Sequence, residues 1–155
     1  MAERVILSAL PVVNHWLKLC HHSALQSFLI FPLLGLIAPL KVKGRENLTE
    51  LKGPLLFAAN HQSNLDAPVV LATLPLKWRF HTAVAAAADA WFAGKRRKTL
   101  VATLLFNGFP FSRTGSIRPS LEHCSRLLDR DWSILIFFEG DIIDTGQMEP
   151  FKSGV

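Results

Sequence analysis

The chain has 155 residues, half of them hydrophobic, with a mean hydropathy of +0.27, a net charge of +5 and a pI near 9.6. That length allows one domain at most, and the two cysteines, Cys20 and Cys124, have no CxxC partner, which argues against a disulfide-stapled scaffold. The basic surplus is local, at residues 41–45 and 95–98; with this apolar content and no nucleic-acid motif it suits an anionic membrane surface, and a nucleic-acid partner is not expected.

Residues 3–22 read as an amphipathic helix that Pro11 bends or breaks. Within it, Cys20-His21-His22 lacks metal-ligand spacing, so no metal site is expected. Residues 24–40 carry no charge but contain two prolines, which is short for a straight span and fits an interfacial or re-entrant segment. The competing reading packs both segments onto the core. Residues 1–40 are therefore expected to form a two-helix membrane-associating region, and residues 41–155 an α/β domain.

From Leu40 onward apolar runs alternate with helical patterns. A short strand is expected at 41–44 and a buried one at 55–60. A helix follows at 65–74, closed by Pro75. A strand is expected at 79–86, although its alanines equally suit the start of a helix. Further on, the pattern predicts a helix at 96–106, a strand at 109–112, a helix at 116–130 capped by Ser116 with Pro119 in its first turn, and a strand at 132–138. The fold class this implies is α/β: a mixed sheet flanked by helices.

The most informative stretch is Asn60-His61-Gln62-Ser63-Asn64-Leu65-Asp66. In one continuous helix, residues five apart point about 140° apart and do not meet. Across a strand-to-helix loop they can meet, and an aspartate on one imidazole nitrogen leaves the other as a base for an alcohol proton. Taken alone, the pair is matched by a plain reading: a loop histidine and a first-turn helix acid. Two further strands also end in polar groups. Phe109-Pro110-Phe111-Ser112-Arg113 delivers Arg113, and Phe137-Phe138-Glu139-Gly140 delivers Glu139. Open α/β sheets bind ligands at that edge.

These three blocks resemble those of the glycerolipid acyltransferases, the lysophosphatidate (1-acylglycerol-3-phosphate) acyltransferases. His61 and Asp66 stand in the family's Asn-His-x-x-x-x-Asp block, Arg113 in its Phe-x-x-Arg block, and Glu139-Gly140 in a Phe-Pro-Glu-Gly block with Phe138 in place of proline. The resemblance covers residues 40–155. It implies acyl transfer from acyl-CoA or acyl carrier protein to the hydroxyl of lysophosphatidate, with His61 as base and Asp66 as its orienter. No cofactor is implied. It also implies attachment to membrane lipids, at the cytoplasmic face. Arg113 suits the acceptor phosphate because its planar fork pairs with phosphate oxygens, and Thr114, Ser116 and a helix N-terminus stand close by in sequence. Glu139 and Gly140 are implied in acceptor binding, with Lys152 as a second cation. Asp141 and Ile142 stand where the family commonly has Thr-Arg, which weakens a phosphate site and leaves open another lysophospholipid or lipid acceptor. The family continues past this point with a further strand. The C-terminal part of the fold is thus expected to be missing, and a noncatalytic lipid-binding fragment is the remaining alternative.

Overall fold

The computed structural model of the chain describes residues 26–37, 39–94 and 96–140. The expected helix at 3–22 and residues Asp141, Ile142 and Lys152 lie outside them. Four strands form the sheet: β1 (Leu56–Ala59), β2 (Thr82–Ala87), β3 (Gly108–Phe111) and β4 (Ser133–Phe137). Among the described residues, five α-helices surround it: α1 (Phe31–Ile37), α2 (Asp66–Thr73), α3 (Leu76–Arg79), α4 (Arg96–Phe106) and α5 (Arg118–Leu128).

The strand order is β1-β4-β2-β3, and every pairing is parallel. The mixed sheet expected from the sequence is thus corrected to a parallel one among the described residues. Each connection between successive strands contains helix, and a helix returns the chain to the edge where the previous strand began. The chain moves one way along the sheet from β1 to β2 to β3, then back to insert β4. With a constant crossover hand, that reversal sends its helix to the opposite face. The packing follows: Leu71, Trp78, Ala102 and Phe106 of α2, α3 and α4 cluster with Val84, Ala86 and Leu135. Leu127 of α5 clusters on the other face with Ala83, Phe109 and Ile134. Alternate residues of β2 and β4 thus feed opposite cores, which is why both strands are apolar throughout. Gly108 is the closest approach: a Cβ there would lie 2.9 Å from the carbonyl oxygen of Ala102, so its absence lets α4 lie flat on β3.

The strand expected at 41–44 does not form. Lys41, Val42 and Lys43 are exposed with no sheet partner among the described residues, and Gly44 at φ 78° turns the chain into a 3₁₀ turn at Arg45–Leu48. Within the uncharged segment, a π-helical turn at Gln26–Ile30 runs into α1. Gln26 is buried and its Nε2 donates to the carbonyl of Leu105 at 2.8 Å, tying this segment to α4. Its other side is unpacked: Phe28 is 85% exposed and Leu36 82%. No helix of the described residues is long and apolar enough to cross a membrane.

Candidate active site

All four strands end at one edge, and each supplies part of the site. The loop after β1 brings His61 against the first residue of α2. The Asp66 carboxylate accepts the His61 Nδ1–H at 3.0 Å, and the same oxygen accepts the backbone N–H groups of Gln62 and Ser63 at 2.6 and 2.7 Å. The loop is therefore wound around one carboxylate oxygen, which also sits in the first turn of α2, where negative charge is favoured. The far end of that helix is held as well. Arg79 donates to the carbonyls of Leu71, Ala72 and Leu74, and Arg45 donates to that of Thr73, so its last carbonyls have cationic partners. On its other side the His61 ring stacks on Phe137 of β4, with centroids 4.2 Å apart and planes 20° apart. With Nδ1 committed to Asp66, Nε2 is the basic nitrogen.

Glu139, buried to 3% exposure, accepts the backbone N–H of His61 at 2.9 Å. Acceptor contact was the role the family resemblance implied for Glu139. The structure gives its carboxylate a bond that ties the β4 turn to the β1 loop. The turn itself closes with the Gly140 N–H on the Phe137 carbonyl at 3.1 Å, and Gly140 has φ 75°, a conformation that disfavours any side chain.

Arg113 follows β3. Its Nε and Nη2 donate to the two carboxylate oxygens of Asp89, at 3.2 and 2.5 Å, and Nη1 donates to the carbonyl of Gly140 at 2.9 Å. The Arg113 guanidinium holds the Asp89 carboxyl below the ordinary carboxylate range. Thr114 and Ser116 are exposed and do not line the cavity described below. Ser116 does not cap α5 either: the helix starts at Arg118, Ile117 holds the cap position, and no side chain bonds there. Two nearby hydroxyls do bond backbone groups: Ser120 accepts the Ser112 N–H at 3.0 Å, and the Ser112 Oγ–H donates to the Thr114 carbonyl at 2.6 Å.

His61, Arg113 and Gly140 line one cavity of about 250 Å³. Its remaining wall is mostly apolar: Val84 through Ala87 of β2, with Trp91, Phe106, Ile136 and Phe138. The alanine run at the end of β2 matters because small side chains leave space where larger ones would fill it. The sequence shows that run only as ambiguous between strand and helix, and Asp89 does not stand out in it. The available signal is an acid just past an apolar strand, in the same position relative to β2 as Arg113 is to β3. Among the described residues, no three His, Cys, Asp or Glu side chains are grouped to hold a metal.

A parallel sheet with a His–Asp pair at its carboxyl edge, beside an apolar cavity, has the parts that general-base chemistry on a hydroxyl needs. The chain belongs to the Acyltransferase family, that of the glycerolipid acyltransferases, whose model matches residues 39–155, and it is therefore an acyltransferase. No curated protein and no solved structure matches the chain.

Proposed function

We propose that this acyltransferase moves a fatty acyl group from acyl-CoA or acyl carrier protein to the free hydroxyl of 1-acylglycerol-3-phosphate, giving phosphatidic acid. The observation that carries the reading is the His61–Asp66 pair opening onto an apolar cavity that Arg113 also lines. His61 Nε2 takes the proton of the acceptor hydroxyl as its oxygen attacks the thioester carbonyl. The new C–O bond forms, the C–S bond breaks, and the imidazolium returns its proton to the leaving thiolate. Asp66 keeps the imidazole in one tautomer and offsets the positive charge it gains. The apolar wall takes the acyl chain, and the guanidinium of Arg113 takes the acceptor phosphate. The products and acceptor are lipids, so the reaction belongs to phospholipid biosynthesis at a membrane surface. The exposed Phe28 and Leu36 and the basic start of α4 supply apolar and cationic contacts there.

A second reading is favoured by the Arg113–Asp89 pair: with its fork already on a carboxylate, Arg113 serves a less anionic lysolipid or another lipid acceptor. An acceptor panel separates the two, with one acyl thioester donor and thiol release as the signal. Arg113→Ala is expected to raise KM for lysophosphatidate far more than for a monoacylglycerol. Equal losses on both would show that Arg113 only holds the site together. A wild type that ignores lysophosphatidate would establish the second reading.

A further inference from the structure

Asp89 lies in the π-helical turn Ala88–Phe92 that follows β2, and none of the chemistry above requires it. Yet it takes two hydrogen bonds from the Arg113 guanidinium. Two parallel N–H···O bonds from one guanidinium to one carboxylate form the same fork that a phosphate would occupy. The two partners are not equally fixed. The Arg113 side chain is 25% exposed, lines the cavity and is held a second time by the Gly140 carbonyl. The Asp89 side chain is 59% exposed. Of the two, the acid is the one that solvent can release.

We infer that Asp89 is a specificity-determining residue, whose carboxylate occupies the guanidinium fork of Arg113 and must be exchanged for an anionic acceptor headgroup. The inference rests on the reading of Arg113 as the acceptor's phosphate contact and adds the group that competes for it. An exposed ion pair is weak, so a dianionic phosphate can displace the carboxylate whereas a neutral headgroup cannot. In the empty site the carboxylate keeps the guanidinium ordered. In the occupied site it charges every phosphorylated acceptor the same displacement cost.

Asp89→Asn keeps the shape and one acceptor oxygen but removes the competing charge. The test titrates sn-glycerol 3-phosphate into the full chain by calorimetry, using wild type, Asp89→Asn, Arg113→Ala and the double variant. Asp89→Asn is expected to bind roughly twofold to fivefold more tightly than wild type, the range set by one solvent-screened charge contact. The gain should vanish in the double variant. In turnover, KM for lysophosphatidate should fall with a smaller change in kcat, raising the preference over a monoacylglycerol. Equal or weaker binding by Asp89→Asn, no binding by either protein, or a gain that survives in the double variant would each overturn the inference. A wild type that acylates no lysophosphatidate would instead defeat the proposed function, while the titration still decides the role of Asp89.

Discussion

Replacing Asp66 by asparagine separates what the carboxylate does for the fold from what it does for the reaction. The amide oxygen can take the place of the carboxylate oxygen that now receives the His61 Nδ1–H and the backbone N–H groups of Gln62 and Ser63. Loop shape and imidazole tautomer should therefore survive. The lost quantity is the charge facing the imidazolium that forms as the hydroxyl proton is taken. Two unit charges 4 Å apart interact by about 1 kcal/mol in water and about 4 kcal/mol near a protein surface. The His61 and Asp66 side chains are 20% and 24% exposed, which puts the pair between those limits. At about 1.4 kcal/mol per tenfold change, kcat should fall by roughly fivefold to 10³-fold with KM nearly unchanged. Asp66→Ala removes three hydrogen bonds as well and should cost the fold about 3 kcal/mol, at roughly 1 kcal/mol each. The assay is thiol release from an acyl thioester, paired with urea denaturation of each variant. An Asp66→Asn protein that is folded and turns over within twofold of wild type would refute the role of the charge. A loss fully explained by unfolding would refute the separation of roles.

Two other outcomes are expected. His123, on α5, is buried against Phe109 with neither ring nitrogen bonded, and burial pushes its pKa down to about 4. The folded value lies below the ordinary 6.5, so the neutral ring contributes stability above pH 6.5 that is lost as pH falls toward 4. The total is about 3 kcal/mol at about 1.4 kcal/mol per unit. Denaturation midpoints of wild type and His123→Phe between pH 7.5 and 4.5 check this, and parallel slopes would contradict it. The protein is also expected to partition with membranes and to stay there in high salt, because Phe28, Leu29, Leu33, Leu36 and Ile37 are exposed on one short segment. Recovery in the soluble fraction without detergent would reverse that expectation.

The elements from residue 55 onward were largely legible in the chain. The helix expected at 96–106 is α4 at Arg96–Phe106, and the strands expected at 55–60 and 132–138 are β1 and β4 to within two residues. Apolar runs bounded by Pro, Gly or polar residues are local signals, and they suffice where one element is buried on its own terms. His61 and Asp66 were legible for the same reason, since a five-residue spacing across a loop needs only the two flanking elements to be right. The segment at 41–44 failed because a strand needs a partner, and no periodicity reveals whether one is within reach. Strand order, parallel pairing and the reversal that inserts β4 between β1 and β2 were decided by tertiary packing. So were the bond from His61 to Glu139, 78 residues apart, and the pair of Arg113 with Asp89, 24 apart. Hydrogen bonds over such separations leave no period in a sequence. They exist because the sheet brings the ends of four strands to one edge, and which acid meets which base there depends on which strands are neighbours.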